Sequence, residues 1–526
     1  MQNRKFLTVM LDMSRNGPLK VETIKHFADI AKKMGYNAVG LYMEDVYEID
    51  GEPYFGHLRG RYSKAELKEV NSYLKSIDMV AIPYIQTLAH IGSIFQWSEY
   101  SPLRDIRDIL LIDEPKTYEL IEKMFATMRE CFDTDQINIG MDEAGQVGLG
   151  NYLRKHGYKE NRVELLYHHL QKVLEIAKKY NFKPTMWADL FFSLPTNGKD
   201  LKEFIPKDVT LCYWNYYTEN EDHYDKTLKK HKALTGKVSF AGGAWTWSGF
   251  APQNERSLRS MEKALSACRT NEIDNVVITM WGDDGNECSF FSVLPSLFFC
   301  AEKYLYGTEL SEIKLKFETI FGISFDDFMK LDLPNHIKGN IYGNPSRYGL
   351  YNDPFCGKVD YHIAEGDGIE YQKRARQLAL LEKKTGEYSY LFTNMKNLCR
   401  VMELKYDLGV RTRNAYLSQD KEKLFYITEK VYPELLKRLE KFYQSFLTVW
   451  DKERKAFGFE VQDLRIGAVM LRLRHCQKTL KEYLAGKIDK IEELEVPVLQ
   501  LNKKYEKTTS LQEQWHGGIV TANVEF

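Results

Sequence analysis

The chain has 526 residues, of which 44% are apolar and 28% charged, with a formal net charge of −1. That length can bury more than one ordinary core, and the near-neutral balance supplies no positive field to attract phosphate, which argues against nucleic-acid and anionic-membrane partners. Eight cysteines lie scattered with no CxxC spacing, which argues against a zinc ribbon or a disulfide scaffold and favours a reducing, cytoplasmic compartment.

The N-terminus, Met-Gln-Asn-Arg-Lys followed by Phe6 to Met10, imitates a signal peptide. Asp12 and Arg15 interrupt the apolar run and no small-residue cleavage site follows, so no leader is expected. No apolar stretch reaches the ~18 residues a membrane span needs. Short apolar runs then recur as strand candidates: Phe6–Leu11, Ala38–Tyr42, Met79–Ile85, Ile137–Met141, Pro184–Trp187, Val209–Tyr213, Val238–Ala241 and Asn275–Trp281. Between them lie helical periods. Val21, Ile24, Phe27, Ala28, Ala31 and Met34 recur at spacings of three and four, as do Val163, Leu166, Leu170, Val173, Leu174 and Ala177. Strand–helix alternation that reaches eight strands, with no glycine-rich phosphate loop after the first, predicts a (β/α)8 TIM barrel over residues 1–307. The connections from Met43 to Arg61 and from Ala89 to Glu114 are long and leave the strand ends where barrel active sites lie.

Beyond residue 308 the alternation stops. Segment 310–366 reads as irregular, with turn signals at Gly339-Asn340, Gly343-Asn344-Pro345 and Asn352-Asp353-Pro354. Leu378, Leu381, Leu391, Met395 and Leu398 predict one long helix or two, and further helices are expected near 420–451 and 460–485. The charged stretches Lys437–Lys441 and Asp451–Lys455 read as solvated helix faces. Residues 308–526 are therefore expected to form an irregular connection and a mainly α-helical C-terminal domain, whose size is compatible with a homodimer. Trp450 and the Phe457-Gly-Phe459 turn are candidates for a contact surface or for core.

The strongest chemical signal is Gln136-Ile-Asn-Ile-Gly-Met-Asp-Glu-Ala-Gly145, which delivers Asp142 and Glu143 to the C-terminal end of the fourth strand. A helix-capping acid pair, or pairing with an arginine, is the competing explanation. The other strand ends carry Arg15, His90, Asp189, the run Tyr213-Trp-Asn-Tyr-Tyr217, Trp245-Thr-Trp247, and Trp281-Gly-Asp-Asp-Gly-Asn-Glu287. Six of the eight tryptophans precede residue 282, and five of those sit at predicted strand ends. A core tryptophan has no reason to prefer one rim, whereas a sugar pocket does. Adjacent carboxylates do not suit the ordinary two-carboxylate glycosidase, whose acids flank the bond at about 5–5.5 Å for retention or 6.5–9.5 Å for inversion. They can serve two atoms of one sugar, in which a 2-acetamido group acts as the nucleophile.

With Arg15 on strand 1 and tryptophans on strands 5 to 8, this arrangement resembles family 20 glycoside hydrolases, and within them the branch without an N-terminal α/β domain that contains hexosaminidase D. The resemblance covers roughly residues 1–306. It implies a retaining exo-β-N-acetylhexosaminidase that needs no metal or other cofactor and acts on oligosaccharides ending in β-linked GlcNAc or GalNAc. It implies Glu143 as acid and base, and Asp142 as the partner of the acetamido N–H. Arg15 and His90 would bind the sugar, Trp187, Trp214 and Trp245 would wall the acetamido pocket, and Tyr216 would donate to the acetamido carbonyl. Trp281 would lie under the ring, with Asp283 or Glu287 at O4 and O6. The sequence departs from the family at Trp-Gly-Asp-Asp, where Trp-x-Glu is usual, which blurs that last contact. Arg15 has Glu44 and Asp45 as alternative partners, and Tyr213 and Tyr217 compete with Tyr216. Two other classes fit the same rim: a metal-dependent barrel enzyme using His90, Glu44, Asp142, Glu143, Asp189 and Asp283, and a sugar-binding barrel without turnover.

Overall fold

The computed structural model describes residues 5–501, 511–512 and 515–523; residues 1–4, which open the signal-like start, lie outside it. The chain forms two compact units. The first comprises Met1–Ala244, Ser257–Met280 and Leu297–Leu310, and the second Trp245–Arg256, Trp281–Ser296 and Ser311–Phe526.

The first unit is a closed parallel barrel. Its strands are β1 (Phe6–Asp12), β2 (Ala38–Glu44), β3 (Val80–Ile85), β4 (Gln136–Asn138), β5 (Lys183–Trp187), β6 (Thr210–Trp214), β7 (Val238–Gly243) and β8 (Asn275–Met280). They run in the order β1-β8-β7-β6-β5-β4-β3-β2, and β1 closes the ring by pairing Met10 with Thr279 on one side and Gly40 on the other. Buried on both faces, β1, β2 and β8 carry Val, Ile, Leu and Met in runs rather than in strict alternation. Gly40 is required by packing: a Cβ there would stand 2.6 Å from the Tyr84 ring.

The coat is built from α1 (Val21–Lys33), α2 (Lys64–Ser76), α3 (Pro115–Cys131), α4 (Arg162–Lys179), α5 (Glu221–Leu234), α6 (Asn254–Thr270) and α7 (Leu294–Tyr306). In α1 the 3–4 spacing buries Ile24, Phe27, Ala28 and Ala31, with each large side chain contributing about 1.5–3 kcal/mol. Glu22 in its first turn and Lys32 and Lys33 in its last complement the helix dipole. A reciprocal Ser63–Glu66 capping box starts α2.

One strand differs from its sequence reading. Ile137–Met141 reads as continuous, but β4 ends at Asn138, because Gly140 (φ 73°) and Met141 (φ 70°) are left-handed and break the pleat. β3 meets β4 at a single register position, Tyr84 with Asn138. Side chains and backbone carry the pairing onward. The Thr87 N–H and hydroxyl donate to the Ile139 carbonyl at 3.3 and 2.8 Å, and the Met141 N–H donates to Gln86 Oε1 at 3.3 Å.

In the second unit the helices are α8 (Leu310–Phe321), α9 (Pro345–Tyr351), α10 (Glu370–Glu382), α11 (Ser389–Lys405), α12 (Leu408–Leu417), α13 (Tyr432–Glu453) and α14 (Phe459–Leu484). The helical expectation for this region holds in kind, and the periodicity around Leu378–Leu398 resolves into two helices. Segment 310–366 is less irregular than read, since Ile313 and Phe317 give α8 a buried stripe. The stretch Asp451–Lys455 is not wholly solvated: Glu453 and Arg454 are buried, with Glu453 accepting from Ser289 Oγ at 2.5 Å and from the Tyr390 hydroxyl at 2.9 Å. Trp450 and Phe459 pack at 5.4 Å between ring centres as core, while Phe457 is exposed. Among the described residues no helix is long and apolar enough to cross a membrane.

Candidate active site

The carboxyl ends of β1 to β6 carry one continuous network. It starts at Arg15, just past β1, whose guanidinium meets Asp12 Oδ2 at 3.0 Å and Glu44 Oε1 at 3.3 Å and lies over the Tyr42 ring at 4.8 Å. The Tyr42 hydroxyl donates to Glu44 Oε1 at 3.1 Å and accepts from Gln86 Nε2 at 2.8 Å. The same amide donates to Asp142 Oδ1 at 2.9 Å. Burial pushes the Glu44 carboxyl up, and the Arg15 charge opposes it.

Asp142 is buried (8% exposed). Its other oxygen lies 3.3 Å from His90 Nε2. Burial would raise its pKa, but the neighbouring His90 charge and the hydrogen bond from Gln86 hold it below the usual value. On His90 burial works against the imidazolium, yet the Asp142 carboxylate prevails and pushes it up to about 9. The His90 backbone N–H donates to Asp108 Oδ2 at 3.1 Å, which anchors the long loop after β3.

Glu143 is the next residue and lives in a different environment. It adopts φ 53°, and its side chain is 61% exposed while lying 3.5 Å from His90 Nε2. Its backbone N–H donates to Asp189 Oδ2 at 3.0 Å, and Trp214 Nε1 donates to Asp189 Oδ1 at 3.3 Å. Burial first, and then the Asp142 charge, push Asp189 up to about 6. Tyr216 stacks on Trp214 at 5.5 Å. Tyr213 instead packs on His231 of α5 at 5.1 Å, and Tyr217 is exposed. Trp187 is buried beside Tyr84 at 6.2 Å, and its backbone N–H donates to the Gly140 carbonyl at 3.1 Å.

The remaining candidates follow β7 and β8 in the chain and belong to the second unit. There Trp245 stacks on Trp247 at 4.3 Å and carries the Arg256 guanidinium 3.6 Å from its ring centre. The Thr246 hydroxyl donates to the Trp281 carbonyl at 2.7 Å. Asp283 is partly exposed. Glu287 is committed inside its own unit: Arg347 Nε and Arg465 Nη1 lie 2.8 and 3.2 Å from its two oxygens, and the Tyr351 hydroxyl donates to it at 2.9 Å. Among the described residues, no group of three or more His, Cys, Asp or Glu side chains is arranged to hold a metal ion.

The sequence of residues 5–279, more than half of the chain, matches the glycosyl hydrolase family 20 catalytic domain. The chain belongs to glycosyl hydrolase family 20. Residues 326–513 of this family 20 protein match a glycoside hydrolase 20C C-terminal domain. It is similar to human hexosaminidase D, with 23% identity over 340 residues that cover 60% of this chain and 69% of the relative. Bovine hexosaminidase D is likewise 23% identical, over 351 residues, 60% of this chain and 96% of the relative. A solved β-N-acetylhexosaminidase from Bacteroides fragilis is 20% identical over 61% of this chain and 70% of its own, with a TM-score of 0.49. A family 20 exo-β-N-acetylglucosaminidase from Vibrio harveyi is 15% identical over 62% of this chain, with a TM-score of 0.48, and the match spans 58% of its length.

Among the expected site residues, Arg15, His90, Asp142, Glu143, Trp214 and Tyr216 of this family 20 protein share the barrel network, with Trp187 buried behind it. Arg15 pairs with Glu44, as weighed from the sequence, and with Asp12 rather than Asp45, which is taken by Arg59 at 2.9 Å. Tyr42 and Gln86 link the network and escaped sequence reasoning. Gln86 carries a signal in its position, since it directly follows β3 at the rim that holds the other candidates.

Proposed function

We propose that the protein is a retaining exo-β-N-acetylhexosaminidase that releases terminal β-linked GlcNAc or GalNAc by substrate-assisted catalysis, without a cofactor. Family membership supports the reaction class. The observation that carries the mechanism is the contrast between two neighbouring carboxylates: Asp142 is buried and held ionised by His90 and Gln86, while Glu143 projects into the open. Paired carboxylates whose surroundings differ in this way divide acid–base roles.

In this reading Asp142 accepts a hydrogen bond from the substrate's acetamido N–H, which turns the acetamido carbonyl oxygen towards the anomeric carbon. That oxygen forms a bond to the anomeric carbon as the glycosidic C–O bond breaks, and Glu143 gives its proton to the leaving oxygen. The carboxylate of Asp142 offsets the positive charge that develops on the oxazolinium-like ring. Glu143, now ionised, takes a proton from water as the water oxygen bonds to the anomeric carbon and that carbon's bond to the acetamido oxygen breaks, restoring the acetamido group. The two displacements give net retention. Arg15 and His90 bind hydroxyls, Trp187 and Trp214 bound the acetamido pocket, and Tyr216 donates to the carbonyl oxygen. Trp281 lies beneath the ring and Asp283 meets the O4/O6 side. Glu287, whose oxygens are held by arginines, shapes that loop rather than touching sugar. A cytoplasmic setting belongs to the same reading and is supported by eight free thiols, seven of them buried.

The deciding experiment is hydrolysis of an aryl β-N-acetylglucosaminide beside the matching β-glucoside, with and without chelator. Turnover of the acetamido sugar alone, indifferent to chelator, is the expected result. Equal turnover of the glucoside would remove the substrate-assisted step, and loss with chelator would point to metal chemistry.

A further inference from the structure

The loop that follows β8 carries an unusual backbone. Asp284 (φ 55°), Gly285 (φ 117°) and Asn286 (φ 56°) are left-handed in succession, and two of them are not glycine. Such a run persists only where its surroundings over-determine it. Within the loop, the Gly285 and Asn286 N–H groups donate to the Gly282 carbonyl at 3.1 and 2.7 Å. Further contacts come from the C-terminal helices of the same unit. Arg347 on α9 meets Asp284 Oδ2 at 2.5 Å and Glu287 Oε2 at 2.8 Å. Arg465 on α14 meets Asp284 Oδ1 at 2.9 Å and Glu287 Oε1 at 3.2 Å, and donates to the Asp284 carbonyl at 2.6 Å. One turn away, Gln462 donates to the Gly285 carbonyl at 3.0 Å. Tyr351 holds Glu287, and the His516 N–H donates to Asp284 Oδ2 at 2.7 Å.

Two carboxylates and two guanidiniums thus balance in charge. With either arginine removed, two largely buried carboxylates would share a single guanidinium, an excess of negative charge that the loop can relieve by moving. The side chains between β8 and this clamp are Trp281 and Asp283, which the proposed function assigns to the sugar.

We propose that Arg347 and Arg465 are positioning residues of the hexosaminidase reaction: they hold the Trp281–Glu287 loop in the conformation in which Trp281 and Asp283 meet the sugar. The proposal rests on the functional reading above. Neither arginine touches substrate. The loop binds a part of the sugar that does not react, so its displacement weakens ground state and transition state alike and raises KM more than it lowers kcat.

The test compares full-length wild type with Arg465→Met, Arg465→Lys and Tyr351→Phe on aryl β-N-acetylglucosaminide and β-N-acetylgalactosaminide, with a thermal melt of each. Arg465 is used because, at 12% side-chain exposure against 1% for Arg347, its loss disturbs packing less. We expect Arg465→Met to raise KM about tenfold with kcat within about threefold. Arg465→Lys, which keeps the charge and loses the fork, should recover part of that, and Tyr351→Phe should give a smaller rise in KM. Unchanged KM in Arg465→Met with wild-type melting would overturn the clamp alone. So would a loss of kcat that merely follows a lowered melting temperature at constant KM. A wild type that fails to turn over the acetamido sugars would overturn the functional reading and the clamp's role together.

Discussion

Glu143 takes a left-handed backbone turn immediately after Asp142, and that turn gives two adjacent carboxylates different surroundings. Their replacement should therefore have different consequences. Glu143→Gln is expected to cost about 10²–10⁴ in kcat on substrates with poor leaving groups and little where the leaving group needs no proton. Asp142→Asn is expected to cost on the order of 10² on every substrate, because it removes charge opposite the developing oxazolinium. A leaving-group series on both variants separates the two slopes. His90 makes a pH prediction. Its folded pKa is raised to about 9, so the favourable pairing with Asp142 is fully present below the ordinary histidine value of about 6.5 and is lost as pH rises through about 9. The Asp142 pKa is depressed, so its share is lost only as pH falls below the ordinary carboxylate range. The melting temperature should fall on the alkaline side near pH 9, and His90→Gln should remove that fall while lowering the melting temperature below it.

The chemistry at the end of β4 depends on how that element stops. Gly140 has φ 73°, and a Cβ there would stand 1.9 Å from Gln86 Oε1 and 3.0 Å from the Ile85 carbonyl. Gly140→Ala is therefore expected to cost about 1–3 kcal/mol in stability and to pull Gln86 away from Asp142, which a melt paired with kcat/KM will read. Here the limits of the sequence are plain. Strand existence was legible at all eight positions, because buried parallel strands are unbroken apolar runs bounded by helical periods. The early end of β4 was not, since Ile137, Ile139 and Met141 keep the alternation of a strand while the backbone has left it. Asp142 and Glu143 were legible as a pair at a rim. Tyr42 and Gln86 were not, because a tyrosine inside a strand and a neutral amide after one look like core and loop until their partners across the barrel are known. Glu287 illustrates the converse: its place in the Trp281–Glu287 motif suggested sugar, and only the arginines of α9 and α14, some 60 to 178 residues distant in the chain, explain where its charge goes.

At the scale of the whole molecule, the change of pattern near residue 308 marks where βα alternation ends, yet the compact units divide elsewhere. Residues 245–256 and 281–296 group with the C-terminal helices. Phe250, only a few residues past β7, packs on Tyr351, Phe442 and Phe446 at 6.0, 5.3 and 5.4 Å. A chain cut after residue 307 should therefore expose Phe250, Trp247 and Phe290 together and be recovered aggregated and inactive, which soluble yield and turnover will check; an active, monodisperse product would show the barrel segment to be self-sufficient.

The two family-matched segments, residues 5–279 and 326–513, leave the Trp281–Glu287 loop in the interval between them. A crossover between homologous genes anywhere in that interval would bring Phe250 from one parent and Phe442 from the other, and one placed after residue 287 would also part Asp284 and Glu287 from Arg347 and Arg465. An exchange of the helical region between homologues is thus expected to give a folded chimaera only when the short segments after β7 and β8 travel with it, which makes the exchangeable piece a discontinuous one.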